Sequence, residues 1–341
     1  EETRRKYIIE NMLYMVEISK KSIMVLNKVF CGDKYNLNIF EGSFVKEKSE
    51  GYKVYNPDIT FDIIMGNPPY QFSHGTGNPV YQHFCYTSLE KLKNNGILLF
   101  IIPVGWKKYF SGDNRETGKI FNTFKNYHID TLTMNLEIEN FPPVDFFTII
   151  KNKTKKQTKI KCSFNGNEYN SKLHLSDLQF IPLLLNDKSI NIIQTLLKKT
   201  GKKLLFEQPI SKFPGDKSKT ENKKYKYPHI HLLDTNGIQD EIYLKDKKDI
   251  FNGEKIVINV LNTIKDPPLF PYIDKSNYGT TQRIALMKGP ISELNKINDF
   301  LNSKLMKFIL KITQYSSGQY KQNEYKILNL ITYPDKPLKT D

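Results

Sequence analysis

Asn67-Pro68-Pro69-Tyr70 is the run of this sequence whose residue types and order most directly describe a reaction. Proline fixes φ and lacks an N–H, so two in a row keep the neighbouring carbonyls out of helix and sheet ladders. The Asn67 side chain adds a carbonyl acceptor, and Tyr70 adds a flat face with a polar tip. Two fixed acceptors beside an aromatic face suit an aromatic exocyclic amine. Such an amine is a poor nucleophile, because its lone pair is delocalised into the ring. Accepting both of its hydrogens from one side turns the nitrogen toward tetrahedral geometry and aims the lone pair at an electrophile. Stacking on the tyrosine holds the base with ~1–3 kcal/mol. No general base with a shifted pKa is needed, since the proton leaves after transfer.

A corner of this kind has to be carried by a strand. The apolar run 61–65 just before it has the look of a buried parallel strand, and open α/β sheets present their chemistry at the carboxyl edge of such strands. The flanks extend the pattern. Residues 1–10 read as a helix, and 11–18 as a strand ending in Glu17. A carboxylate there is placed to take both hydroxyls of a ribose, or to serve the dipole of the helix that follows. That helix spans 19–30, with Ser19 at its start and Ile23, Met24, Leu26 and Val29 at helical spacing. A third strand candidate covers 36–45. Helical periodicity over 80–92 leads into a continuous apolar strand at 96–104, then a helix at 116–126 and strands at 128–136 and 141–150.

Asn-Pro-Pro-Tyr after an apolar strand resembles the signature of S-adenosylmethionine-dependent amino-group methyltransferases, chiefly the N6-adenine DNA enzymes of restriction-modification systems. The resemblance implies a Rossmann-like methyltransferase sheet followed by a DNA-reading domain. It implies that Asn67 and the Pro68 carbonyl accept from the adenine N6, with Pro69 stiffening the turn and Tyr70 stacking on the flipped base. Glu17 would bind the cofactor ribose, with Ile18, Phe44 and Asn67 also lining the cofactor site. The family often has an acid where this sequence has Ser43. Either Ser43 bonds the adenine amine, or Glu41 covers it, or the contact is lost. An aromatic that closes over the base from the other side is expected at Phe141, with Phe146 as the second choice. The Gly-Trp segment after the 96–104 strand, also a family feature, carries Lys107 and Lys108, which are expected to touch DNA.

Composition points the same way. Across 341 residues, 51 Lys and Arg against 36 Asp and Glu give a net charge of +15, which favours a polyanionic partner through counterion release. Cys31, Cys85 and Cys162 lack metal-ligand spacing, so no structural zinc is expected. Apolar runs are too short to span a bilayer, and the reading is a soluble, intracellular (cytoplasmic) protein acting with DNA. The lysine-dense stretch 151–161 marks a domain boundary. Residues 1–155 form the expected methyltransferase domain, and 156–341 an α+β basic target-recognition domain. In the latter, cations interleave with aromatics at Lys224-Tyr225-Lys226 and Tyr320-Lys321, and these residues together with Arg283 are the expected DNA contacts. His229-Ile230-His231 reads as an alternating strand, and 299–312 as one amphipathic helix.

The family's glycine-rich cofactor loop is expected 20–30 residues ahead of the ribose acid. Only 16 residues precede Glu17, and none is glycine. A truncated chain, a split enzyme whose front half is a second chain or upstream segment, and a DNA-binding specificity subunit without activity each account for this. Release-factor glutamine methylation is a rival chemistry, since a side-chain amide is also a planar, delocalised amine. The long basic second half speaks against it.

Overall fold

The structure is a computed structural model. It describes residues 1–46, 51–70, 80–109, 119–139, 143–152, 154, 156–198, 201–208, 216–234, 236–245, 253–262, 269–315, 321–322 and 325–333. In chain order, the first elements are α1 (Glu2–Asn11), β1 (Tyr14–Glu17), α2 (Lys20–Val29), β2 (Asn38–Glu41), β3 (Phe61–Gly66), α3 (Tyr81–Lys91) and β4 (Leu92–Pro103). Next come α4 (Lys119–Phe124), β5 (His128–Leu136), β6 (Val144–Ile150), β7 (Thr158–Phe164), β8 (Asn167–Leu173), α5 (Asp187–Lys198) and β9 (Lys202–Lys203). The remainder is β10 (Tyr227–Asp234), β11 (Gly237–Leu244), β12 (Lys255–Asn259), β13 (Leu261–Asn262), β14 (Tyr272–Asp274), β15 (Gly279–Thr280) and β16 (Ile284–Lys288). It closes with α6 (Ile291–Asn302), α7 (Lys304–Ile312), β17 (Lys321–Gln322), α8 (Tyr325–Leu328) and β18 (Thr332–Tyr333).

The expected α/β class holds. A six-stranded sheet runs in the order β3-β4-β6-β5-β7-β8, while β1 and β2 pair in parallel as a separate ribbon. β3 and β4 are parallel, with Gly66 opposite Phe100. β6 runs against β4: Lys151 exchanges hydrogen bonds with Asn95 and Gly96, and Val104 donates to Pro143. The strand read at 141–150 is therefore antiparallel to β4. Ser19 starts α2 by accepting from the Ser22 N–H at 3.4 Å, as its position in the sequence predicts.

The chain divides into two compact units. One comprises residues 1–102, 123–131 and 146–156, and the other 103–122, 132–145 and 157–341. The first has its core under β4 and α3, where Cys85, Leu89, Leu98, Phe100, Ile102, Phe124 and Phe147 are buried, Phe124 and Phe147 meeting edge to face at 5.0 Å. Burial pushes the Cys85 thiol far above its ordinary range, so this cysteine is inert packing. The second unit builds a core from α5, α6 and α7 against the sheet β14-β12-β16, with Ile256, Ile258, Leu294, Ile297, Met306 and Ile309 buried. The helix expected over 299–312 is two helices. Ser303 breaks it and caps α7 by accepting from the Met306 N–H.

Strand β3 departs from the expected buried state. Ile63 is 51% and Met65 73% exposed, and among the described residues β3 has a strand partner on one edge only. Helix α2, amphipathic by sequence, likewise has no buried residue.

Candidate active site

Strand β3 ends at Gly66, and the chain turns through Asn67-Pro68-Pro69 to Tyr70. Asn67 and Pro69 are exposed, Pro68 is buried, and Tyr70 is half-buried. The corner is therefore anchored by one buried proline between two exposed residues. Burial holds the Tyr70 phenol above its ordinary range, and a hydrogen bond with the Asn67 side chain pulls the other way. The structure thus brings the two residues the sequence singled out into direct contact.

β1 delivers Glu17 to the carboxyl end of its ribbon, opposite Glu41 of β2. One carboxylate oxygen accepts from the Ser19 N–H at 2.8 Å, which fixes the side chain at the head of α2. Among the described residues the second oxygen has no partner, leaving it able to accept from a ligand hydroxyl. Of the two readings of this acid, the contact with the Ser19 N–H is the one that supports the helix start. Ile18 beside it is 44% exposed, an apolar surface next to a polar anchor.

Gly42 follows β2 and donates to the Glu17 carbonyl at 3.0 Å. A Cβ at this position would lie 2.3 Å from the Lys53 carbonyl, so the close approach of the two backbones admits glycine alone. Ser43 is buried. Its hydroxyl donates to the Val45 carbonyl at 2.7 Å and accepts from the Val45 N–H, so a local turn already uses it. Phe44 stacks against Tyr55 at 6.5 Å and against Phe84 of α3 at 5.6 Å. Tyr14 of β1 and Phe61 of β3 meet edge to face at 5.5 Å. Among the described residues, ring contacts therefore join the β1–β2 ribbon to β3 and the segment after β2 to α3. Tyr55 and Phe84 were not legible as part of this seam, because neither lies near a recognisable motif.

The second unit corrects one expectation. Lys107 is not a DNA-facing cation: it is fully buried, 3.0 Å from Asp145 and 3.1 Å from the Asn135 side-chain oxygen. A lysine with no solvent exposure cannot reach a phosphate without breaking that pair. Lys108 next to it is half-buried. Asp145 also accepts from the Trp106 indole at 2.7 Å and the Asn135 N–H at 2.9 Å. Sequence reasoning missed Asp145 and Asn135, since an isolated Asp in an apolar strand has no spacing to announce its partners.

Of the other expected DNA contacts, Lys224 and Lys226 are exposed and Arg283 is half-buried. Tyr225 does not present a bare ring: Lys224 lies 5.2 Å and Lys245 5.7 Å from its centroid, and its hydroxyl bonds Asp216. His231 is held by the Thr281 hydroxyl at 3.1 Å. Burial first, then the Arg283, Lys217 and Lys219 charges, pull it down to about 4, with Asp240 opposing. Phe146 is half-buried on β6. Phe141, Tyr320 and the loop 71–79 lie outside the described residues, as does the side chain of Lys321.

The first unit thus places a proline-stiffened turn after β3 and an acid at the end of β1. Residues 7–138 match the family described as Eco57I restriction-modification methylase. Among solved structures, the MmeI type IIL restriction-modification enzyme in complex with DNA aligns over 90% of this chain and 51% of its own, at 9% identity and a TM-score of 0.49. The M protein of the type I restriction enzyme EcoKI aligns over 47% and 37%, at 13% identity and 0.35. A type I restriction-modification methyltransferase subunit from Streptococcus thermophilus aligns over 48% and 40%, at 17% and 0.32. The chain spans about two fifths to one half of these structures. The search of curated proteins found no match. No helix among the described residues is long and apolar enough to cross a membrane.

Proposed function

We propose that this protein transfers a methyl group to N6 of a flipped adenine in duplex DNA, at the corner Asn67–Tyr70. The supporting observation is the geometry of that corner: Asn67 and Pro69 face outward while Pro68 and the Asn67–Tyr70 hydrogen bond fix the turn. The Asn67 side chain and the Pro68 carbonyl accept both hydrogens of the amine, and Tyr70 stacks on the base. Phe141, or failing it Phe146, closes the other face. Flipping costs a few kcal/mol, repaid by stacking and by the paired acceptors. S-adenosylmethionine, when bound, supplies an electrophilic methyl. Glu17 would hold its ribose through its second carboxylate oxygen, with Ile18, Phe44 and Asn67 beside it. Because the Ser43 hydroxyl is engaged with Val45, the adenine amine falls to the backbone or to Glu41 rather than to Ser43.

In this reading residues 1–155 are the catalytic domain and 156–341 the target-recognition domain, which meets DNA through Lys108, Lys224, Lys226, Arg283 and the 320–321 segment. The site of action is inside the cell, with the DNA. Among the described residues β1 pairs with β2 alone and β3 with β4 alone, and Ile63 and Met65 of β3 are exposed, which suits a second chain or upstream segment that also supplies the glycine-rich cofactor loop.

The test is radiolabelled methyl transfer by the full-length protein to duplex DNA and, in parallel, to a release-factor glutamine substrate. DNA is expected to take label, and Asn67→Ala or Tyr70→Ala to lower transfer by about 10²-fold or more with little change in DNA affinity. Label in the glutamine substrate alone, or full activity in either variant, overturns the reading.

A further inference from the structure

Residues 216–226, in the second unit, carry five lysines against two acids. Lys217, Lys219, Lys223, Lys224 and Lys226 are all exposed. A run of this kind is commonly a solvated face with loose chain beneath it, but this one has a fixed backbone. Ser218 and Tyr243 exchange backbone hydrogen bonds at 3.0 and 2.8 Å, on the edge of β11 away from β10. The Lys226 N–H donates to the Leu244 carbonyl at 3.2 Å as the chain enters β10. The segment therefore wraps the end of β11 and is pinned on both sides of it.

Asn222 is the hub between the pins. Its side-chain oxygen accepts from the Lys224 N–H at 3.0 Å and the Tyr225 N–H at 3.1 Å, and its amide donates to the Ser218 hydroxyl at 3.3 Å. Its own N–H donates to the Tyr225 carbonyl at 3.0 Å. The Ser218 hydroxyl donates to the Thr220 carbonyl at 2.7 Å and accepts from the Thr220 N–H at 3.2 Å. Asn and Ser side chains stabilise turns in this way, by giving the backbone local partners. The result is a short arc on which five cations are carried at set intervals.

The two acids do not cancel these charges. Asp216 is held by Lys245 and by the Tyr225 hydroxyl. Glu221 acts elsewhere: burial first, then the Glu241 and Glu221 carboxylates, hold the Tyr243 phenol above its ordinary range. Among the described residues Lys219, Lys223 and Lys226 have no ion-pair partner. Tyr225 is no stacking surface either, since Lys224 and Lys245 lie over its ring at 5.2 and 5.7 Å. The arc offers charge without an open ring. That combination fits the phosphates of an intact duplex better than splayed single-stranded bases, which need a bare aromatic face.

We propose that the 217–226 turn is a phosphate clamp, which grips the backbone of duplex DNA without reading its sequence. This rests on the reading of the second unit as a DNA-binding domain, and assigns these lysines to affinity rather than to base choice. The test measures binding of the full-length protein to a duplex of arbitrary sequence, about 30 base pairs long, between about 50 and 200 mM salt. Lys219→Gln/Lys223→Gln/Lys226→Gln is expected to weaken binding at least about tenfold at the low-salt end and to flatten the log–log salt slope by about 2–3. Lys172→Gln/Lys296→Gln/Lys304→Gln removes the same charge from exposed positions on β8, α6 and α7, and should change the slope by less than about 1. Asn222→Ala keeps every charge and should weaken binding about threefold to tenfold, because a loosened turn must be ordered on binding. Unchanged binding in the first variant or in Asn222→Ala overturns the proposal, as does an equal change of slope in the second. Failure of the unsubstituted protein to bind the duplex overturns it too, including the case in which vesicles of anionic lipid are bound instead. Methyl transfer is scored separately: duplex binding that depends on these lysines, with no labelled adenine, sinks the methyl-transfer reading and leaves the clamp standing.

Discussion

Strands β3 and β12 are written in nearly the same letters and meet opposite fates. Phe61-Asp62-Ile63-Ile64-Met65-Gly66 and Lys255-Ile256-Val257-Ile258-Asn259 each place a run of large aliphatic residues beside a charge. Every residue of β12 is buried, because β14 and β16 pair with it on both edges and helices cover the sheet. Among the described residues β3 pairs with β4 alone, and it leaves two aliphatic side chains more than half exposed. Their charges differ in the same way. Lys93 answers Asp62 at the surface at 2.9 Å, whereas Lys255 is buried against Asp274 at 2.6 Å and donates to the Ser276 carbonyl. Burial of a strand is thus a property of its neighbours, and the same residues serve as core in one place and as an open edge in another.

The comparison can be broken in three ways. The largest effect is expected for Asp274→Ala, which leaves Lys255 buried without its counter-charge and should cost about 3–5 kcal/mol in chemical denaturation. Asp62→Ala at the exposed pair should cost no more than about 1 kcal/mol. Next comes the aliphatic pair: Ile256→Ala should cost about 2–5 kcal/mol, while Ile63→Ala should stay within about 0.5 kcal/mol. A large loss at Ile63 would show that β3 is covered in solution after all.

The smallest effect concerns pH. His231 is lowered from an ordinary value of 6.5 to about 4 in the folded protein, so the unfolded chain binds more protons between those values. Stability should therefore be intact above pH 6.5 and decline as the pH falls toward 4. His231→Gln should flatten that decline, measured as the thermal midpoint across the range. An unchanged slope would remove His231 from the account.

Much of the first unit was legible because its determinants are local. Two adjacent prolines stiffen a corner wherever they occur, a serine before an amphipathic run caps a helix, and an acid closing a short apolar segment lands at a strand end. Asn67, Tyr70, Glu17 and Ser19 follow from such rules. The helix break at Ser303 was missed because the aliphatic spacing runs through it unbroken, and only the capping bond to Met306 reveals the new start.

What the sequence determined alone is the acceptor corner after β3 and the order of strands and helices around it. Tertiary structure decided which charges are surface and which are core. Lys107 looked like one more cation in a basic chain. Its true partner lies 38 residues away on another strand, a distance over which no local pattern carries information. The exposure of β3 was decided in the same way, by which strands pair with it: among the described residues, β4 alone. Such pairings depend on which segments the fold brings side by side, and spacing along the chain does not encode that.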